Sequence, residues 1–328
     1  MKIAIIGFGS VGKGIASIIR DKGLGITVTA IADSKSAAID NNGLDIQSVF
    51  NAKKNSGVCG EMGKTPDDVI SEGDFDVLIE VTPTDADTGE PALGYIKKAL
   101  SSGKHVITSN KGPVALKYPE LKVLADENGV ELRFEATVCG AIPIILSLQN
   151  GLAGNNIKRI YGVFNGTCNY ILTRMADEKL TYSQALLEAR ELGYAEADPT
   201  YDVMGIDAAI KLVILANTVL GYEKTLDDVE IAGINMITSE SLQLAGEDDL
   251  TIRLIGEIDC EKELLRVMPR VLPKNHTLVV QDTLNAVTAE TDLAGEVTLI
   301  GRGAGSVETA SAIIADLLFI RKLNDRCA

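Results

Sequence analysis

Residues 2–14 read KIAIIGFGSVGKG, and the fold turns on how this stretch is read. KIAIIG is a short apolar run bounded by glycine, the signature of a buried strand. From 11 to 22 apolar residues return at helical spacing. Gly7, Gly9 and Gly12 therefore form a G-x-G-x-x-G pattern between a strand and a helix, the context this pattern needs to carry meaning. Gly7 permits the tight turn, Gly9 lets a pyrophosphate approach the backbone, and Gly12 lets the helix pack on the strand. The amino end of that helix offers N–H groups and a favourable dipole to phosphates.

The next strand, ITVTAIAD (26–33), ends on Asp33, ~20 residues after the last glycine, where a carboxylate meets the ribose hydroxyls of a dinucleotide. A nicotinamide or flavin dinucleotide is expected. Asp33 favours NAD, because its charge opposes a 2′-phosphate. Lys35, Lys53 and Lys54 soften that preference and leave NADP open. Further on, FDVLIEVT (75–82), a helix near 88–102, HVITSN (105–110), a helix near 114–128 and VELRFEATV (130–138) continue the alternation. Strands recurring with helical crossovers predict a doubly wound parallel sheet, a Rossmann unit. Ligands bind such sheets beyond the carboxyl ends of the strands. Lys111 in VITSNKGPVA (106–115) belongs there, on the turn after a strand. The expected cofactor contacts are Gly7, Phe8, Gly9, Val11, Gly12, Asp33, Thr82, Ser109, Lys111 and Gly303, the last in a second glycine-rich helix entry (301–310) that either packs its backbone against the dinucleotide or turns a corner. Residues 41–65 are glycine-rich and weakly periodic and read as including exposed loop.

After about residue 136 the pattern changes. Stretches 157–165, 250–259, 263–272, 285–291 and 295–301 read as strands, with two sizeable helical blocks, 181–192 and 206–220, between them. This predicts an α+β unit with a mainly antiparallel sheet. The expected division is a dinucleotide-binding domain, 1–136, completed by a carboxy-terminal helix within 303–328, and a substrate domain, 137–302. Ser306 is the expected cap of that last helix.

A formal charge of −15 over 328 residues argues against a nucleic-acid partner or an anionic membrane surface. No apolar run reaches the ~18 residues of a membrane span, and the first residues do not read as a signal peptide, so a cytoplasmic protein is expected. Five scattered cysteines without a C-x-x-C pair fit reduced thiols. With only two histidines, lysine or a carboxylate is the expected proton carrier.

Residues 193–211, GYAEADPTYDVMGIDAAIK, place Glu196, Asp198, Asp202 and Asp207 close together, with Lys211 four residues after Asp207 on one helix face. The flanking AAI and LVILA make that helix apolar nearly all round, so the pair is expected to be buried and costly unless something polar shares its site. The carboxylates suit a divalent cation or a substrate ammonium. The lack of an EF-hand alternation favours the ammonium. Burial is expected to lower the Lys211 pKa toward a range useful for proton transfer. In FNGTCNYIL (164–172), Asn165 or Thr167 can cap a helix, and Cys168 reads as a packed thiol because no histidine signal stands near it.

Together GFGSVGKG, SNKGPVA (109–115), EATVCGAIPII (135–145), NGTCNYIL (165–172), the 193–211 stretch and GRGAGSVETASAIIADL (301–317) resemble homoserine dehydrogenase, in family order over nearly the whole chain. The resemblance is to the short form without an appended ACT domain. It implies interconversion of L-homoserine and L-aspartate 4-semialdehyde with NAD(P), in threonine and methionine biosynthesis. By motif, Glu196 and Asp207 bind the small-molecule substrate, Lys211 is the acid/base candidate, and Lys111 stands between nicotinamide and substrate. The resemblance also implies a monovalent cation, sodium, held by Glu135 and the carbonyls of Val138, Gly140 and Ile142, and a homodimer formed through the second domain. Two other readings differ in testable ways. A phosphorylating semialdehyde dehydrogenase needs a cysteine nucleophile, and a dinucleotide sensor could dispense with Lys111, Glu196, Asp207 and Lys211.

Overall fold

A computed structural model describes residues 1–327, with side chains to Leu323; the thiol of Cys327 and all of Ala328 lie outside the described residues. The chain forms two compact units, one of Met1–Thr137 with the segment from Gly305, the other of Val138–Ala304.

The first unit runs β1 (Lys2–Ile6), α1 (Ser10–Lys22), β2 (Thr27–Ala32), β3 (Ser36–Ile39), α2 (Ile46–Ser56), β4 (Glu61–Met62), α3 (Pro66–Glu72), β5 (Val77–Glu80), α4 (Ala92–Ser101), β6 (His105–Thr108), α5 (Lys111–Glu127) and β7 (Leu132–Arg133). Its sheet has the order β4-β3-β2-β1-β5-β6-β7. From β2 to β7 the neighbours are parallel, and β3 and β4 add an antiparallel edge. Ile3 to Ile6 are wholly buried, as a central parallel strand covered on both faces requires. α1 buries Gly12, Ile15, Ala16 and Ile19, one stripe at helical spacing. The same core takes Ala310, Ile313, Leu317 and Ile320 of the carboxy-terminal helix.

Three local features differ from the sequence pattern. The stretch 41–65 does include exposed loop, and within it residues 46–56 form a helix that was not read: Asp45 accepts a hydrogen bond from Gln47 N–H at the start, and Gly57 closes the end in the left-handed conformation. The helix buries only Ile46 and Val49 along its length, so its apolar stripe was too thin to register as periodic. β7 is also far shorter than expected. The chain leaves the sheet at Phe134 because the N–H of Glu135 donates to Asp316 Oδ2 (3.1 Å) and Arg133 Nε donates to Asp316 Oδ1 (3.2 Å). α5 begins three residues earlier than read, capped by Asn110, and kinks at Lys117 ahead of Pro119.

The second unit holds α6 (Ile144–Leu146), β8 (Ile157–Val163), α7 (Gly166–Asp177), α8 (Tyr182–Glu191), α9 (Thr200–Val203), α10 (Ile206–Val219), β9 (Val229–Ile231), α11 (Ser239–Glu247), β10 (Leu250–Asp259), β11 (Leu264–Pro273), β12 (Leu284–Thr291) and β13 (Glu296–Arg302). The sheet order is β13-β12-β8-β10-β11-β9, antiparallel except for the β11–β9 pair. α7 is the helix whose start was read at Asn165 or Thr167, and α11 is a further helix outside the two blocks. Gly256 lets the helices approach the sheet: a Cβ there would stand 2.8 Å from the Phe164 ring and 3.3 Å from Leu212. The chain then returns to the first unit as α12 (Ser306–Cys327). Ser306 is its first residue, and its hydroxyl donates to the carbonyl of Ser10 at 2.8 Å, so it also ties α12 to the start of α1.

Asp316→Ala would strand Arg133 and the Glu135 N–H in a buried setting. A loss of about 3 kcal/mol is expected, seen as a lower thermal midpoint by calorimetry; an unchanged midpoint would show that this clamp contributes nothing.

Candidate active site

The glycine turn is built for close approach. Gly7 has φ +103°, and a Cβ there would lie 2.5 Å from the carbonyl oxygen of Val81. A Cβ on Gly12 would fall 2.1 Å from the carbonyl oxygen of Gly7, whereas one on Gly9 would meet nothing within 4 Å. Gly7 and Gly12 are thus required by the fold, and Gly9 faces open space. Gly9 caps α1 without a side-chain hydrogen bond, and no acidic residue occupies the first turn, where Val11 lies. Phe8 is buried with its ring against Phe50, so its main chain is what it can offer a ligand. This donor set fits a pyrophosphate.

Asp33 is more heavily engaged than its sequence position suggests. Oδ1 accepts from the N–H groups of Lys35 and Ser36 and from the Ser36 hydroxyl, and Oδ2 meets Lys53 Nζ at 2.5 Å. Burial pushes its carboxyl up, but Lys53 and these donors outweigh it and hold Asp33 below the ordinary carboxylate value. A 2′-phosphate beside Asp33 would therefore meet an ion pair rather than a lone negative charge.

At the carboxyl ends of β5 and β6, Thr82 donates both its N–H and its hydroxyl to Glu80, and Ser109 N–H donates to the Glu80 carbonyl. Lys111 is the first residue of α5, half-buried, directly after the cap Asn110. His105 is structural, its Nδ1 accepting from the N–H of Glu131 at 2.9 Å.

In the second unit α10 is buried from Asp207 to Thr218, and Lys211 is 7 % exposed. Its ammonium donates to Asp207 Oδ2 (2.7 Å) and to the carbonyl of Phe164 (2.6 Å). Burial lowers its pKa, but the Asp207 charge and hydrogen bond, with smaller contributions from Cys139 and Asp202, outweigh it, and Lys211 stays above the ordinary lysine value. This reverses the lowering expected from burial alone: the partner carboxylate lies too close.

Three roles here go beyond the sequence reading: the bridging amide of Asn165, the place of Asp202 beside it, and the Phe164 carbonyl. Asn165 caps α7 by accepting from Cys168 N–H, and its Nδ2 donates to Asp202 Oδ1 (2.6 Å) and Asp207 Oδ2 (2.9 Å). Asp202 thereby joins the cluster, its carboxyl raised by burial and by Asp207. The Phe164 carbonyl carries no sequence signal at all. Asp202 had one, its place in the acidic stretch. Glu196, by contrast, stands exposed on the segment after α8, outside this hydrogen-bond network. Cys168 is buried and its thiol donates to the Asp202 carbonyl at 3.0 Å; burial and the two carboxylates raise its pKa well above the ordinary thiol value, the opposite of an activated nucleophile.

Glu135 is buried in a single turn, Glu135–Thr137. Val138 and Ile142 are buried, and between them Cys139 and Gly140 take successive left-handed conformations. The Ile142 carbonyl accepts from Ile144 N–H at 2.8 Å. A Cβ on Gly140 would sit 2.6 Å from the carbonyl oxygen of Gly303, and one on Gly303 would overlap the Asn285 amide at 2.0 Å. Packing inside the unit thus accounts for glycine at 303.

A phosphate-ready glycine turn on a parallel sheet, in one chain with a buried lysine–carboxylate cluster, defines a dinucleotide-dependent oxidoreductase. Residues 7–135 match a family model described as the NAD binding domain of homoserine dehydrogenase, and residues 143–318 match one described as homoserine dehydrogenase. The chain belongs to the homoserine dehydrogenase family and is an NAD(P)-dependent oxidoreductase. It is 48 % identical to the homoserine dehydrogenase of Methanocaldococcus jannaschii, covering 98 % of both chains. Among solved structures, a putative homoserine dehydrogenase from Archaeoglobus fulgidus superposes with TM-score 0.92 at 46 % identity over 98 % of this chain and 99 % of that one. A hyperthermophilic archaeal homoserine dehydrogenase in complex with NADPH gives TM-score 0.83 at 32 % identity over 98 % and 97 %.

Because Asp202 has a raised carboxyl, its protonated form fits the fold better. Its stabilising contribution is complete below the ordinary carboxylate range and is lost as pH rises through the folded value. Asp202→Asn should therefore raise the melting temperature at pH ~7 and lose that advantage below pH ~4. Melts showing no difference at neutral pH would contradict the geometry.

Proposed function

We propose that the chain interconverts L-homoserine and L-aspartate 4-semialdehyde with Lys211 moving the proton and Asp207 holding that lysine in place. The observation that carries this reading is a lysine buried on an otherwise apolar helix, its ammonium fixed by a carboxylate and a main-chain carbonyl. An ion pair in that setting is costly as a stabiliser, which supports a functional role.

Gly7, Gly9, Gly12 and the amino end of α1 would hold the pyrophosphate, with Phe8, Val11, Thr82, Ser109 and Gly303 as further contacts. The nicotinamide, when bound, supplies the hydride chemistry. Lys211 protonates the forming alkoxide when the semialdehyde is reduced and takes the hydroxyl proton in the reverse direction. Asp207 and Glu196 anchor the substrate ammonium and so orient the reacting carbon. Lys111 is the second lysine of the reaction. Glu135 and the carbonyls of Val138, Gly140 and Ile142 are the proposed ligands of a sodium ion, an all-oxygen set suited to a hard cation.

The reading extends to a homodimer through the second unit. Support comes from the sheet face opposite the helices, which carries exposed Ile300 and an ion-pair ladder joining Glu257 to Arg159, Arg266 and Arg270. Among the described residues no helix is long and apolar enough to cross a membrane. A cytoplasmic role in threonine and methionine biosynthesis fits this reading.

The test is the initial rate of L-homoserine oxidation at alkaline pH with NAD+ and NADP+ in parallel, with and without sodium. Lys211→Ala should lower turnover by about 10²-fold or more while the protein stays folded. Rates like those of the native protein would sink the lysine mechanism. The Asp33–Lys53 pair predicts that both dinucleotides are accepted, and that Lys53→Ala costs about tenfold in kcat/KM for NADP+ and much less for NAD+. Equal losses for the two would show that Lys53 does not face the 2′-position.

A further inference from the structure

We propose that Glu80 is a positioning residue for the reaction: its carboxyl locks the loop after β5 to the turn after β6 and so sets the place of Lys111. Glu80 ends β5 and is completely buried. Oε1 accepts the N–H of Thr82 at 2.8 Å and the Thr82 hydroxyl, and Oε2 accepts the Thr108 hydroxyl at 2.7 Å. The oxygen of Thr108 accepts the N–H of Asn110 at 2.9 Å. Asn110 closes the circuit, its Nδ2 donating to the carbonyls of Thr82 and Pro83 at 3.3 Å each and its Oδ1 accepting the N–H of Gly112 at 3.2 Å. That last bond caps α5, whose first residue is Lys111.

The turn has no room to drift, since a Cβ on Gly112 would stand 2.1 Å from the Asp85 carbonyl oxygen. Every donor to Glu80 named above is neutral, and the nearby titratable group on α4 is Tyr95. Burial raises the Glu80 carboxyl against the bonds from Thr82, Thr108 and Asn110, which lower it. Its use is therefore geometric, as an acceptor for several donors at once, and not as a fixed charge.

The inference rests on the reading that Lys111 acts in the reaction, and a mutant cycle separates the two. Glu80→Gln, Glu80→Ala and Thr108→Val are made alone and with Lys111→Ala, and kcat is measured with L-homoserine at saturating dinucleotide. Glutamine keeps an acceptor for Thr82 and offers its amide to the Thr108 oxygen, so kcat should stay within about twofold of the native value. Alanine should lower kcat about tenfold, yet by less than about twofold once Lys111 is already removed. A native kcat for Glu80→Ala, or an equal loss with and without Lys111, overturns the positioning role. Lys111→Ala without effect overturns the catalytic reading of that lysine on its own, and the positioning role falls with it. Where Glu80→Ala fails to fold, Thr108→Val, which breaks the same circuit without a cavity at residue 80, decides by the same cycle.

Discussion

The buried ion pair between Lys211 and Asp207 is the constraint around which the second unit is organised. Two opposite charges on an apolar helix need every bond satisfied, and the chain meets that need from three directions. The residue after β8 supplies the Phe164 carbonyl, the cap of α7 supplies the Asn165 amide, and α9 brings Asp202 to the other side of that amide. Loss of any one would leave a buried group short of a partner. The balance also decides the chemistry. Because Asp207 outweighs burial, Lys211 remains an acid at neutral pH, the form needed to protonate a carbonyl oxygen as it is reduced.

The first unit works by the opposite device, exposing donors where the second unit satisfies them. Glycines remove side chains from the turn before α1, and no side chain caps the helix, so its N–H groups are left for phosphate. Neutralisation of Asp33 by Lys53 then softens the charge at the carboxyl end of the neighbouring strand, β2. Glu80 belongs to a third pattern, a buried carboxyl surrounded by neutral donors that holds two loops in register.

Much of this was legible in residue order. The glycine turn, the parallel alternation and the change to antiparallel strands after residue 136 are encoded locally, in periodicity and in turn residues. Adjacency four apart on a helix was enough to pair Asp207 with Lys211. What escaped depends on contacts between distant residues. Asn165 was legible as a cap but not as a bridge between two carboxylates 37 and 42 residues away. The shortness of β7 follows from Asp316, 181 residues beyond Glu135. α2 was missed because a mostly exposed helix leaves little apolar signal, although its cap and its closing glycine were both present. The sign of the Lys211 shift turned on a distance, and the sequence holds residue types, not distances.

The most direct measurement is the pH dependence of kcat for L-homoserine oxidation in the native protein and in Asp207→Asn, at saturating substrate. Oxidation needs neutral Lys211, so the rate should rise through the lysine pKa. With the carboxylate removed, burial is no longer outweighed, and that rising limb should move to lower pH. A limb that stays in place, in a variant that still turns over, would contradict the claim that Asp207 holds the proton on Lys211.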